Sequence, residues 1–488
     1  MQTEQFCKSI IQTEVRNSKA LANLVMGLCS SPQAKSVVEV SLSPCYHYQH
    51  SSINKAINSL YEKHIAESAD HTGNRLEVEK EFLSLKKDYF EKPFDKFWLL
   101  NTDITPLFRP HSPTLPQRRY VYKPNNQIKG NRPVDIGYEL STVGLSCRRP
   151  LYGLSEPSWN PPLSMRLVPY GENKNSFTAK QVNDLLDNKA LPIYNSLTVN
   201  ALDSNYSSPE YISATHHQLD LVNVIRLASN RNVWNQQSQQ EVEARRKANQ
   251  DKRGANIVYG EKFKLNESEK WGAAALTKQS RFCTKLANGK KIIVEVKTWE
   301  NRMLRSKRGH NMKDKPFDLI SIELFDASTG LALFKKKMWL GVWGTRRKEL
   351  TEEEIYWAYR NRYDIEHFFR FGKQKLLLDK FQTPDEEHLQ NWAEVVSLAY
   401  WLLFAGKQSA KHQSRKWQEY DKNHKKRIKH NLKVTPSQVQ LQMASIILGF
   451  EQSPFLPKVQ IKGKGRQKGH KQPKRMRFAV LKKQKKPK

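Results

Sequence analysis

Apolar positions divide the chain into stretches of different texture. In residues 1–90, "FCKSIIQTEVRNSKALANLVMGL" and "SSINKAINSLYEKHIAESA" repeat apolar residues at intervals of three and four, the period of an amphipathic helix, and Ser51 or Ser52 can cap the second. This predicts a helical N-terminal domain, a candidate DNA binder. From residue 97 the pattern shifts. The run "FWLLNTD" suits a buried strand ending at Asp103, a Pro-rich loop follows, and "VDIGYELSTVGL" and "SMRLVPY" read as two more strands. A helical stretch, "TAKQVNDLLDNKA", leads into "LTVNALDSNYSS", a strand ending at Asp203; a short helical segment around "SPEYISATHHQ" and a last strand, "LVNVIRLA", follow. The order is three strands, helix, strand, helix, strand, an α/β arrangement.

Residues 230–345 are polar and basic, with strand signals in "KIIVEVKTW", "FDLISIELFD" and "GLALFKKKMWLGVWG". So long a stretch is not a loop, and it reads as an inserted, mostly β domain. Beyond it, "YRNRYDIEHFFRFGKQKLL" at 359–377 reads as one helix, and "VVSLAYWLLFAG" at 395–406 as a buried helix too short to span a bilayer. The predicted organisation is a helical domain at 1–90, an α/β core at 91–229 and 346–410 interrupted by the insertion at 230–345, a helical region at 411–457 and a basic tail at 458–488.

Composition adds a partner. The chain carries 82 Lys and Arg against 48 Asp and Glu, a formal charge of +34 over 488 residues, far beyond what solubility needs. A polyanion is the default partner for such a chain, and nucleic acid is the commonest one. From Lys458 to Lys488 there are 14 Lys and Arg with no Asp or Glu, and Gly and Pro interrupt any helix, so this tail is expected to be disordered when free. The five cysteines are too scattered for a disulfide framework, which points to a reducing compartment. Cys45, His47 and His50 in "CYHYQH" lack the second ligand pair of a zinc finger. The amino terminus does not show the basic start, apolar run and cleavage site of a secretion signal, so a cytoplasmic location without a membrane partner is expected.

Candidate chemistry lies in three places. On an α-helix, Tyr359, Arg362, Glu366 and Lys373 fall within a stripe roughly 60° wide, while Ile365, Phe368, Phe369 and Leu376 take the opposite side. Arg362 and Glu366 also form an ordinary i,i+4 pair, and Asp103 or Asp203 taken singly could serve a turn or a cap. Taken together they suit a site. The carboxyl ends of central strands in a parallel or mixed sheet open on a shared crevice, so Asp103 and Asp203 can be neighbours, with Glu366 projecting from a helix packed on that sheet. Gathered carboxylates repel, by about 4 kcal/mol for a pair about 4 Å apart at an effective dielectric of about 20, and protons or cations relieve them. Oxygen-only ligands select hard ions such as Mg²⁺. The pattern suits two-metal phosphoryl transfer, in which one ion activates the attacking oxygen and the other stabilises the leaving one. With so basic a chain, the expected substrate is a nucleic-acid phosphodiester.

Tyr359, Arg362, Glu366 and Lys373 also match without a gap the Y-(2)-R-(3)-E-(6)-K signature. In this the chain resembles the bacterial insertion-sequence transposases of the DDE class, the group that includes the transposases of the kanamycin- and tetracycline-resistance composite transposons. "NTDITP" is similar to that group's first-aspartate strand and turn, and "ALDSNYSS" to its second-aspartate motif. The resemblance implies an RNase H-like, retroviral-integrase-like catalytic core with a β-rich insertion between the second Asp and the Glu. Carried over by position, Asp103, Asp203 and Glu366 would hold two Mg²⁺ ions, with Mn²⁺ able to substitute. Tyr359, Arg362 and Lys373 would contact transposon-end DNA near the scissile phosphate, and a tryptophan of the insertion would hold a flipped base: Trp234, Trp271, Trp299, Trp339 and Trp343 all lie there, no motif singles one out, and Trp299, next to "ENRMLRSKRG", is the candidate taken. The implied activity is cut-and-paste transposition: water cleaves at the ends of the element, and the freed 3′-OH attacks target DNA. The implied partners are double-stranded end and target DNA and a second copy of the chain, in a homodimer bridging two ends. The implied location is the bacterial cytoplasm, on the nucleoid when bound to DNA. Two other readings stay open: a metal-dependent DNA nuclease that cuts without joining, and a domesticated, non-catalytic DNA-binding relative.

Overall fold

The computed structural model describes residues 2–62, 71–123, 133–147, 157–237, 239–248, 259–271, 276–286, 289–413, 434–450, 467–471 and 474–482. The amino-terminal region is helical: α1 (Gln2–Ile11), α2 (Ser18–Cys29), α3 (Val37–Val40), α4 (His50–Asn58) and α5 (His71–Lys87). The first long amphipathic run therefore forms two helices rather than one. In α4 the expected caps, Ser51 and Ser52, sit inside the first turn, and Gln49 holds the cap position without a side-chain bond.

The α/β part follows: β1 (Trp98–Phe108), β2 (Arg119–Tyr122), β3 (Val134–Leu145), β4 (Pro162–Leu167), α6 (Lys174–Leu186), β5 (Thr198–Leu202), α7 (Pro209–Thr215) and β6 (Leu221–Leu227). Asn173 caps α6, and Ser208 caps α7 with Pro209 in its first turn, both favoured helix starts. Next come β7 (Asn232–Gln236), α8 (Gln239–Ala248), β8 (Tyr259–Lys264), β9 (Lys278–Lys285), β10 (Lys291–Met303), β11 (Phe317–Asp326) and β12 (Met338–Trp343). The chain then returns to helix: α9 (Glu352–Asn361), α10 (Asp364–Lys375), α11 (Glu386–Ala405) and α12 (Pro436–Leu448).

One mixed sheet of 12 strands runs through the described residues in the order β2-β3-β1-β5-β6-β12-β11-β10-β7-β8, with β4 beside β3 and β9 beside β10. β1, β5 and β6 are parallel to one another, and β3 is antiparallel to β1. The strands of the 230–345 insertion belong to this same sheet: β12 pairs antiparallel with β6, Trp343 opposite Asn223. Without β12 the edge of β6 would be open.

β1 does not end at Asp103. Its ladder with β3 continues from Asp103 opposite Thr142 to Phe108 opposite Gly137, whereas its pairing with β5 stops at Thr102 opposite Leu202. Past that point the β5-side edge is free, and Pro106, which has no N–H to donate, costs no bond there.

Three apolar cores hold the layers. One joins the amino-terminal helices, Trp98 and Leu100 of β1, inward residues of β3 and β4, and nearly all of α11. A second packs Ile355, Tyr356, Ala358 and Tyr359 of α9 on Leu99, Val199, Val222 and Val224 and on the insertion strands β10 to β12. The third lies across the sheet, between α7 and the tryptophans of the insertion. Disorder, expected for the whole basic tail, does not describe residues 474–482. They lie extended against the loop before β2, with Phe478 N–H donating to Pro113 O and Leu481 N–H to Arg118 O, each at 2.8 Å.

Candidate active site

Register brings the two aspartates together. Thr102 and Leu202 are opposite one another in the parallel β1–β5 pair, so Asp103 and Asp203 come next on their chains at one level. Side chains alternate along a strand, and Leu99 points into the core under α9, so Asp103 points to the α9 face. Asp203 leaves its strand and caps the short turn Ser204–Tyr206, its carboxylate accepting from Asn205 N–H at 2.9 Å and Asn205 Nδ2 at 2.8 Å. The turn role open to Asp203 from its sequence is thus realised beside Asp103 rather than in place of that neighbourhood.

The stretch 359–377 is a broken helix, not one continuous one. Asn101 Nδ2 takes the Asn361 carbonyl at 3.0 Å, and the chain tightens at that point. Ile365 N–H bonds to Arg362 O at 3.3 Å and Glu366 N–H to Tyr363 O at 3.1 Å, the shorter spacing of a 3₁₀ turn. Arg362 occupies the join and Glu366 the first turn of α10. Ile365, Phe368, Phe369 and Leu376 are all buried.

Arg362 links the acidic groups. Its guanidinium donates to Asp103 Oδ2 at 3.3 Å and to Glu366 Oε1 at 2.8 Å, and lies 5.9 Å from the ring centre of Tyr359. Burial pushes the Tyr359 hydroxyl upward in pKa, opposed by the charges of Arg362 and Arg226. Lys373 Nζ donates to Thr105 Oγ1 at 2.7 Å and Pro106 O at 2.9 Å, and burial lowers its pKa to about 8. Tyr359, Arg362, Glu366 and Lys373 therefore line the site beside β1 despite the break, because the join stays close to helical backbone: Arg362 has φ −53° and Tyr363 φ −62°.

The carboxylates are under-neutralised. Burial first, and then the charge of Asp203, raises the Asp103 pKa from 3.8 to about 6, against the opposing pull of Arg362. Burial also raises Asp203. Three carboxyl groups share one guanidinium. Among the described residues no three His, Cys, Asp or Glu side chains are gathered closely enough to hold a metal ion; here Glu366 is bonded to Arg362 instead. The donor set nevertheless fits hard divalent cations. It consists of carboxylate oxygens, and burial, with the charge of Asp203 beside it, disfavours the ionised Asp103 in a way that a bound cation would relieve.

Trp299 is elsewhere. Its ring is 9% exposed and packs against Trp271 and Trp339 at 5.4 and 5.6 Å, in the core on the far side of the insertion strands. Those neighbours occupy the ring, so the geometry gives Trp299 a packing role. A residue missed from the sequence is Arg226. It is the exposed position in an otherwise buried β6, follows Ile225, which pairs with Leu202, and acts electrostatically on the Tyr359 hydroxyl. The signal was a lone Arg inside "LVNVIRLA", a charge that a buried strand has no packing reason to carry.

A mixed α/β sheet with an acidic crevice where parallel strands end, on a strongly basic chain, defines a class: proteins equipped for phosphoryl transfer on nucleic acid. Residues 6–290 match the DDE superfamily endonuclease family, and the chain belongs to that family. Its members are DNA-acting enzymes that use divalent metal ions such as Mg²⁺. The match takes in Asp103 and Asp203 and ends before α9. No curated protein matches the chain. No described helix is long and apolar enough to cross a membrane.

Proposed function

We propose that this endonuclease-family chain is a DNA transposase that cuts at the ends of an insertion sequence and joins the freed 3′-OH to target DNA. One observation carries the reading: Asp103 on β1 and Asp203 just past the end of β5 follow the paired residues Thr102 and Leu202, and Arg362 links Asp103 to Glu366. The strand sequence supports an RNase H-like core, with β1, β3 and β4 antiparallel in succession and β5 and β6 parallel to β1. The uninterrupted signature from Tyr359 to Lys373 supports membership of the insertion-sequence group.

In this reading Asp103, Asp203 and Glu366 would hold two Mg²⁺ ions, which would supply positive charge at the attacking and leaving oxygens. The protein's own groups do the rest. Arg362 neutralises the carboxylates in the free protein, and its planar fork of donors suits phosphate oxygens when DNA arrives. Lys373, held on β1 through Thr105, offers a point charge whose burial cost a phosphate would offset. Tyr359 fixes the orientation of Arg362 from below. Two copies of the chain bridge two DNA ends.

The test is a labelled duplex carrying the DNA that flanks the gene, incubated with Mg²⁺ and a supercoiled target. Breaks at a defined end followed by joined products support transposition. Breaks without joining favour the second reading, a nuclease, which the family match also fits.

A further inference from the structure

The carboxyl-terminal tail is attached to the fold in an unusual way. Leu481 forms a single parallel bridge with Arg119, so the tail docks on the edge of β2 whose other side is taken by β3. The bonds are to main chain: Phe478 N–H to Pro113 O and Leu481 N–H to Arg118 O, each at 2.8 Å, and Tyr170 Oη to Lys482 O at 2.7 Å. Arg118 closes the clasp. Its side chain is 4% exposed, has no ion-pair partner among the described residues, and donates to the carbonyls of Leu115, Arg109 and Pro110 and to Phe478 O at 3.1 Å.

Docking through the backbone leaves the tail's charges unspent. Lys474, Arg475, Arg477 and Lys482 are exposed, and among the described residues none of them is in an ion pair. Two acids near β2 already have partners: Glu139 pairs with Arg119 and Lys174, and Asp135 with Lys123. A segment whose only purpose was to cover an edge strand would not need four free cations.

The segment lies at the β2 edge of the sheet that carries Asp103. Arg119 is opposite Gly137, which is opposite Phe108, so the docked strand is level with the end of β1. It is displaced from Asp103 by about 17 Å along the strand direction and about 14 Å across it, taking about 3.4 Å per residue and about 4.8 Å per strand. A mechanical link joins the two. Arg109, whose carbonyl Arg118 holds, donates to Asp379 O at 2.9 Å and Phe381 O at 3.2 Å, in the loop that leaves α10.

We propose that residues 474–482 are a docked cationic strap that holds the phosphate backbone of a DNA duplex beside the active site, with the Arg118 clasp setting its position. This rests on the DNA-processing reading above. The occupant is double-stranded DNA, chosen by charge complementarity to four exposed cations between Lys474 and Lys482.

Two kinds of variant of the full chain separate docking from charge. Leu481→Pro and Phe478→Pro each remove one N–H bond of the dock and keep every charge, and Tyr170→Phe removes the hydroxyl without touching the backbone. Replacement of Lys474, Arg475, Arg477 and Lys482 together by Ala keeps the dock and removes the charge. Binding of a duplex carrying the flanking DNA is measured against salt. The charge variant should flatten the log–log slope by about 3 to 4, at about 0.9 per phosphate contact. The proline variants should weaken binding on the order of tenfold, because a loosened strap must be ordered on binding, and Tyr170→Phe should lie between them and wild type. Wild-type binding and cleavage in both proline variants, or an unchanged slope in the charge variant, would overturn the strap while leaving the transposase reading intact. Failure of the wild-type chain to bind any duplex would overturn both.

Discussion

Replacing Asp103 with Asn should stabilise the metal-free protein at neutral pH. The folded-state pKa of about 6 lies above the ordinary 3.8, so between those values the folded chain binds more protons than the unfolded one. Stability therefore falls as pH rises through that window, and the cost of the buried charge is fully present above it. Asp103→Asn should recover on the order of 2 kcal/mol at pH 7.5 and almost nothing near pH 4, as read by urea unfolding at the two pH values. An equal effect at both would mean that the gain comes from packing. Mg²⁺ should stabilise the wild-type chain at pH 7.5 and have less effect on the variant. Arg362 makes the complementary case. Arg362→Ala leaves Asp103 and Glu366 without their shared partner, so it should lower thermal stability and weaken binding of end DNA more than of random duplex. Equal losses on the two DNAs would reduce Arg362 to a general phosphate contact.

Helix pairing carries its own predictions. Lys86 of α5 and Glu394 of α11 form a buried ion pair at 2.6 Å, their side chains 1% and 6% exposed, with Ser397 accepting a further bond from Lys86 at 3.0 Å. Lys86→Ala would strand a carboxylate that burial already disfavours in its charged form, and should cost about 3 to 5 kcal/mol. Lys86→Met with Glu394→Leu should cost much less, a non-additivity that chemical denaturation of the two single variants and the double one would expose. The helices also show what a one-dimensional pattern can carry. The apolar side of the 359–377 stretch and the burial of the 395–406 run were legible because helical periodicity marks faces directly. The break at Arg362 was not, because its cause is Asn101, a residue distant in sequence that takes the Asn361 carbonyl. β1 likewise hid its true length, since the partner that extends it past Asp103 is β3 rather than β5.

Across the whole molecule, α11 unites regions that the sequence kept apart. The amino-terminal helices and α11 share one core, so deleting residues 1–90 should expose that apolar helix and give an insoluble chain; a soluble, folded truncation seen by circular dichroism would contradict the shared core. The insertion was recognisable as β-rich from its strand signals, but its place in the same sheet depends on the β6–β12 pairing, which no local pattern encodes. The acidic residues were legible through spacing and through their positions beside apolar runs. Arg226 and the tail's dock were not, since one is a single charge in a buried strand and the other is made of main-chain bonds and of Arg118 and Tyr170, which lie far from the tail in sequence.

The most direct test of the account compares Asp103→Asn, Asp203→Asn and Glu366→Gln with the wild-type chain on the same flanking-DNA duplex, with and without Mg²⁺, scoring binding and cleavage together. The account predicts metal-dependent breaks at a defined end for the wild type, and loss of cleavage with retained binding for all three variants. Near-normal cleavage by any one of them would remove that residue from the site, and near-normal cleavage by Glu366→Gln would contradict the site as assembled around Arg362.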